Sequence, residues 1–260
     1  MSATISELAS HRPPEIDPRE WQARVDLAAC YRLVAHFEMT DLIYTHITLR
    51  VPGTHDQFLI NPFGSMFDEV TASSLVRIDV DGKVLWPAGG KVNPAGYIVH
   101  SAIHLKGTNA HCVLHTHSRA GMAVAAMREG LLPLNQKGLA FYRRLAYHDY
   151  QGLAFDEAER ESLFQDLGPH KAMILRNHGL LTVGENCAEA FSLMYSLEVA
   201  CRLQVDAMSM VRSADDLILP SAAVCEHTAR QFDGYPEPPV SREWPHLLRL
   251  LDRVNPGYDR

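Results

Sequence analysis

The 260-residue chain is short of the features that would place it outside a reducing compartment. Its five cysteines, Cys30, Cys112, Cys187, Cys201 and Cys225, are an odd set with no CxxC pair and mostly apolar neighbours, the pattern of reduced, buried thiols rather than of a disulfide framework. No apolar run approaches the roughly 18 residues that span a bilayer. The opening residues lack the basic and apolar regions of a secretory signal. Together these absences predict a cytoplasmic protein. Positive charge is also scarce: Lys plus Arg number 24 against 31 Asp plus Glu, a net charge of −7. No basic field gathers phosphates or anionic lipid, so nucleic acid and membrane surfaces are excluded as expected partners. Repeats and low-complexity tracts are missing too, and no linker breaks the chain before about Ser213. The composition, 47% hydrophobic and 21% charged, is that of a globular protein able to bury a core without staples.

The organisation read from these patterns is a flexible, proline-bearing N-terminal arm (1–17), one domain of mixed strands and helices (18–212), and a helical C-terminal tail (213–260) packing on the domain or on a neighbouring subunit. Asp17-Pro18 reads as a helix cap followed by proline at the first helical position, and apolar residues from Val25 to Phe37 recur at helical spacing. Strands are expected at 47–51, 58–60, 111–115, 172–175 and 181–183, with a hairpin across Asp81-Gly82 joining 76–80 to 83–85. Helices are expected at 95–106, at 118–127 with Ser118 as its cap, at 187–210, and in the tail at 222–232 and 244–254. Glu185 and Asp156 read as carboxylates in the first turns of helices.

Histidine is abundant, 14 residues against 24 Lys plus Arg, and it is both the commonest metal ligand and the side chain that titrates near neutrality. Five of them, His100, His104, His111, His115 and His117, fall within eighteen residues. In His115-Thr116-His117, positions i and i+2 of an extended strand share a face, so two imidazoles converge. A bare HxH fits a ligand pair, and it also fits two hydrogen-bonded strand histidines. A catalytic ion takes a third protein ligand and keeps a position open. His178 is the candidate, because Arg176-Asn177-His178-Gly179 interrupts two apolar segments and the glycine permits a tight backbone. His100 and His104, four apart on one helix, read as packing or support for the site, and His111 lies too far along its strand to share an ion.

The order of His115-Thr116-His117 and then Leu175-Arg176-Asn177-His178-Gly179-Leu180 resembles the class II aldolase/adducin family. Tyr44-Thr45-His46-Ile47-Thr48-Leu49-Arg50, Leu59-Ile60-Asn61-Pro62-Phe63-Gly64, Thr71-Ala72-Ser73-Ser74-Leu75 and Ala146-Tyr147-His148-Asp149-Tyr150 extend the resemblance to the head domain of adducins and their bacterial relatives, over about Arg24 to Met210. The resemblance implies an α/β fold, three-layer α/β/α around a central mixed, mostly antiparallel sheet. It also implies a homotetramer with active sites at subunit interfaces. One divalent metal ion per subunit would be held by His115, His117 and His178; zinc is expected first, with iron, manganese or cobalt as alternatives.

This chain departs from the sugar-phosphate aldolases of that family at informative places. Those enzymes carry a Glu, a metal-site carboxylate and acid/base, shortly before the helix that carries the first conserved histidine; this chain has Gly96 there. Removing such a proton shuttle forfeits roughly 10²- to 10⁴-fold in an acid/base step. The hydroxyl-bearing phosphate site is replaced by Phe63-Gly64 and Pro94-Ala95. The expected activity is therefore metal-dependent carbon–carbon cleavage, by decarboxylation or aldol cleavage, of a small non-phosphorylated carboxylic or keto acid, aromatic ones included. His148 and Tyr147 are the candidate proton donors, with Asp149 orienting the histidine. His46, Asn61, Phe63, Gly64 and Gly96 are the candidate substrate-binding positions. A mononuclear iron oxygenase on the same scaffold and a non-catalytic adducin-like head are the rival expectations. Adducins that bind the cytoskeleton continue into a neck and a Lys-rich tail, whereas this sequence stops at Arg260 after a non-basic segment, which favours an enzyme.

Overall fold

The computed structural model describes residues 11–106, 109–152 and 157–260. Most of the arm expected at 1–17, and Asp156, lie outside the described residues. The strands are β1 (His46–Arg50), β2 (Gln57–Ile60), β3 (Val76–Asp79), β4 (Val84–Trp86), β5 (Cys112–Thr116), β6 (Ala146–His148), β7 (Ala172–Leu175) and β8 (Gly179–Gly184). Among the described residues they form one eight-stranded sheet in the order β4-β3-β2-β1-β5-β8-β7-β6. Every neighbouring pair is antiparallel except β6 with β7, which makes the sheet mixed and mostly antiparallel, as expected.

Alternation along the strands sorts side chains to the two faces. Ile47, Leu49, Cys112, Leu114, Leu180 and Ile174 join the larger core cluster with α1 (Pro18–His36) and α6 (Cys187–Ser209). Val113, Leu181, Val183, Met173 and Leu175 face the other way, against α2 (Pro94–Lys106) and α5 (Glu157–Leu167). Helices thus cover both faces, giving the three layers. Between them along the chain, α3 (Arg119–Ala125) and α4 (Gln136–Leu139) lead towards β6. Gly96 lies in the first turn of α2 rather than ahead of the helix. The sequence expectations leave out β6 and the bounds of α5, of which they read only a first-turn carboxylate at Asp156. The former is three residues long, too short to show a period of two.

Asp17 caps α1 by accepting the backbone N–H of Arg19. The helix is more deeply covered than an amphipathic surface helix: Glu20, Arg24 and Arg32 are buried along with its apolar residues. The C-terminal segment, α7 (Ala222–Asp233), α8 (Pro239–Arg242) and α9 (Trp244–Val254), accounts for part of that cover. Arg32 donates to the carbonyls of Asn255 and Pro256 and to Asn255 Oδ1, and the indole N–H of Trp244 donates to Asp26. Arg24 is paired with Glu20 at 2.8 Å and donates to the carbonyl of Leu75, so its burial is compensated. All five cysteines are free and buried. No helix among the described residues is long and apolar enough to cross a membrane.

Candidate metal centre

His115 and His117 come together with His178 because β5 pairs with β8 and the β7–β8 turn folds back beside the end of β5. The turn is built for this. Asn177 adopts φ 56°, a left-handed conformation that Asn tolerates better than most residues, and its N–H donates to the carbonyl of Ala125. A Cβ on Gly179 would stand 2.3 Å from the carbonyl oxygen of Thr116 and 3.3 Å from carbons of both His115 and His117. Glycine is therefore required here by close approach rather than by φ.

The three imidazoles bring a ring nitrogen each within 4.8 Å of one another. Nε2 of His115 lies 2.9 Å from Nε2 of His117, which lies 2.9 Å from Nε2 of His178. Each outer nitrogen of the first two is committed. His115 Nδ1–H donates to the carbonyl of Leu180 at 2.9 Å, and His117 Nδ1–H donates to Asp41 Oδ2 at 2.9 Å. In the neutral rings the facing Nε2 atoms are then lone pairs. Burial first, and the charges of His178, His117 and His46 next, push the pKa of His115 well down; burial, then His117 and His148, brings that of His178 down to about 4. Lone pairs converging without a proton between them suit a cation, and an imidazole whose other nitrogen is held by a carboxylate or carbonyl is the usual form of a metal-ligating histidine. The donor set fits the divalent metal the resemblance implies.

A second group of histidines occupies the same sheet face. His46 pairs with His115 across β1 and β5, their ring centroids 5.5 Å apart. Behind it runs a buried chain: His46 Nδ1 to His100 Nε2 at 3.1 Å, His100 Nδ1 to Thr48 Oγ1 at 2.7 Å, Thr48 Oγ1 to His104 Nε2 at 2.7 Å, and His104 Nδ1 to the carbonyl of Ala110 at 2.7 Å. A cavity of about 870 Å³ lies at the far end of β1, among Arg50, His55, His111 and Glu185, away from the triad.

The Class II Aldolase and Adducin N-terminal domain family matches residues 25–205. The chain belongs to this family. A Caulobacter vibrioides protein carrying an aldolase class 2 designation is 47% identical over 94% of both chains. Rat alpha-adducin is 39% identical over 99% of this chain, which spans 36% of that protein. An aldolase II superfamily protein from Pseudomonas syringae has a similar structure, with a TM-score of 0.90 and 46% identity over 95% of this chain and 98% of that one. An L-fuculose 1-phosphate aldolase from Glaciozyma antarctica gives a TM-score of 0.78 at 27% identity, covering 94% and 95%.

Within this class II aldolase fold the remaining expected residues part company. His148 is buried, and its Nδ1–H donates to Asp166 Oδ2 on α5 at 2.7 Å. Asp149, expected to orient that ring, is exposed; a strand directs its next residue away, so the carboxylate comes from a neighbouring helix instead. Tyr147 alternates with His148 and points to the opposite sheet face. There its ring packs on the α1–α6 core under the Arg176 guanidinium, and its hydroxyl accepts the N–H of Leu131. That placement removes it as His148's co-donor. Asn61 is buried with its Oδ1 2.8 Å from the hydroxyl of Tyr31, which makes it a brace between α1 and β2. Phe63, 46% exposed, and Gly64 leave the sheet at the end where His46 lies. Gly96 packs directly on His46: a Cβ there would meet Cδ2 of His46 at 2.9 Å, Cγ at 3.0 Å and Cδ1 of Ile60 at 3.2 Å. Asp41 and Asp166 escaped the sequence reading because both reach their histidines across tertiary structure. Ser118 precedes α3 but makes no capping bond; its hydroxyl donates to Glu198. Glu185 stands just before the N-cap of α6, and Glu189 is the first-turn carboxylate.

Proposed function

We propose that this chain is a metal-dependent lyase that cleaves a carbon–carbon bond in a small, non-phosphorylated carboxylic or keto acid, with zinc as the metal. The observation that carries this reading is the convergence of three imidazole nitrogens, two of them on rings whose outer nitrogens are held by Leu180 and Asp41. A divalent cation at such a site polarises a carbonyl and stabilises the negative charge left on it when a carbon substituent departs. With glycine at position 96, no carboxylate from α2 is available to start an aldol cleavage by removing a proton, whereas loss of carbon dioxide requires no such base. Decarboxylation therefore leads aldol cleavage. His148, its ring held by Asp166, is assigned the return of a proton to the product carbon. Phe63 offers an apolar face where a phosphate-binding hydroxyl would be needed for a sugar phosphate. Exposed apolar side chains near the triad, Leu42 and Tyr44 just after Asp41 and Tyr150 beside His178, support a site completed by a neighbouring subunit in a homotetramer. The match to alpha-adducin favours a second reading, a non-catalytic head that keeps the metal site for structure.

The test is metal analysis of protein purified without added metal, followed by a screen of keto and hydroxy acids for carbon dioxide or aldehyde release. One zinc per chain is expected, lost in His115→Ala and His117→Ala, with turnover of at least one unphosphorylated acid. Undiminished metal in those variants would overturn the site. Stoichiometric metal with no turnover of any acid would favour the scaffold reading, and a monomer by light scattering would remove the shared site.

A further inference from the structure

The buried chain behind His46 has a direction, and the direction is fixed at its far end. The carbonyl oxygen of Ala110 can only accept, so Nδ1 of His104 carries the hydrogen. A neutral His104 then presents Nε2 as an acceptor, and the hydroxyl of Thr48 must donate to it. Having spent its one hydrogen, Thr48 Oγ1 accepts from His100 Nδ1–H. His100 Nε2 is consequently an acceptor, and His46 Nδ1–H donates to it. All three rings are buried, those of His100 and His104 completely, and His104 is stacked on Phe58 with ring centroids 4.4 Å apart. Burial, reinforced by Arg50, brings the pKa of His104 down to about 3, so the neutral form that sets the direction is the one present.

We propose that His104, Thr48 and His100 are positioning residues that hold His46 in its Nδ1–H tautomer, leaving Nε2 as an unprotonated acceptor at the triad, where the site takes an O–H donor such as a substrate hydroxyl or a water molecule. The second observation behind this is Gly96. The ring of His46 fills the volume any side chain at position 96 would enter, so the acceptor on this flank of the site comes from β1 rather than from α2. A chain of buried imidazoles serving packing alone would be indifferent to which nitrogen bears the hydrogen. This chain, pinned to one carbonyl, permits a single arrangement. The role given to His46 rests on the metal centre proposed above, but the tautomer is a property of the zinc-free protein, so the two readings fail separately.

The experiment is long-range ¹H–¹⁵N correlation NMR on zinc-free, full-length protein labelled at histidine, with the His46 signals assigned by their loss in His46→Gln. The wild-type chain is expected to show a protonated Nδ1 and an unprotonated Nε2 at His46 at neutral pH. Thr48→Ser, which keeps the hydroxyl, should preserve that signature. Thr48→Val should lose it, the signals moving toward the Nε2–H form that free imidazoles favour in water. A protonated Nε2 in the wild type, or an unchanged His46 in a folded Thr48→Val protein, would overturn the proposal. If Thr48→Val does not fold, the wild-type and Thr48→Ser spectra decide it, since an Nε2–H signature in either is sufficient refutation.

Discussion

At the scale of single residues, the site is governed by what stands beside each imidazole. Gly96 and His46 compete for one volume, since an added methyl would sit 2.9 Å from the His46 ring. Gly96→Ala is therefore expected to cost roughly 1–3 kcal/mol as an overpacking change, despite alanine's better helix propensity, and a urea unfolding midpoint would register it. An unchanged or raised midpoint would show that His46 moves aside freely. Asp41 is the opposite case. It is partly exposed, so Asp41→Ala should leave the midpoint nearly unchanged, yet it removes the acceptor that orients His117. Loss of such a partner typically lowers metal affinity about 10- to 100-fold. Chelator competition for zinc would measure the drop, and an unaltered affinity would mean that Asp41 does not set the ligand.

At the scale of elements, the β7–β8 turn is the piece on which the triad depends. In Gly179→Ala the new methyl would collide with the carbonyl of Thr116 at 2.3 Å, a rigid ladder atom of β5, and a loss of about 3 kcal/mol is expected. Gly64 makes the comparison: its φ of 98° strains any other residue, but nothing lies within 4 Å of an added Cβ, so Gly64→Ala should cost only about 1–2 kcal/mol. Paired denaturation curves would separate the two, and equal losses would contradict a close-approach role for Gly179. This turn was legible in the sequence because Arg176-Asn177-His178-Gly179 is a polar, glycine-bearing break between two apolar runs, the pattern of a place where strands reverse. The facing of His115 was legible for a similar reason, a period of two on a strand whose neighbours are all apolar, and His117 converges with it although β5 ends at Thr116. The partners that tune those rings were not. Asp166 on α5 holds His148 where the adjacent Asp149 was expected, and Tyr147 turns to the other sheet face, because adjacency in sequence is divergence on a strand. The burial of Glu20, Arg24 and Arg32 was equally hidden, since the periodicity of α1 records one packed face and the C-terminal segment supplies another.

At the scale of the whole molecule, the buried histidines tie stability to pH. His104, with its pKa brought down to about 3 chiefly by burial, and His100, pushed well below its ordinary value by burial and by His46 and His104, stay neutral in the native protein. In the unfolded chain both titrate near 6.5. As pH falls below that value the unfolded state binds protons that the native state refuses, so stability declines as pH decreases and is regained as it rises. The decline continues until pH approaches the folded value, about 3 for His104. Each such group contributes on the order of 1.4 kcal/mol per pH unit in this window, so the pair should weaken the zinc-free protein by roughly 4 kcal/mol between pH 7.5 and pH 5. That is a large share of the 5–15 kcal/mol typical of a folded domain. Asp26 works the other way, because burial raises its carboxyl to about 7 and the native state takes up a proton there over the same interval, while His46, His115 and His178, lowered chiefly by burial like the pair, add to the loss. Urea midpoints measured at the two pH values in the presence of a chelator would show the drop. A flat profile would mean that His100 and His104 accept protons inside the fold, and with a charged His104 the hydrogen-bond chain to His46 would run in the reverse direction.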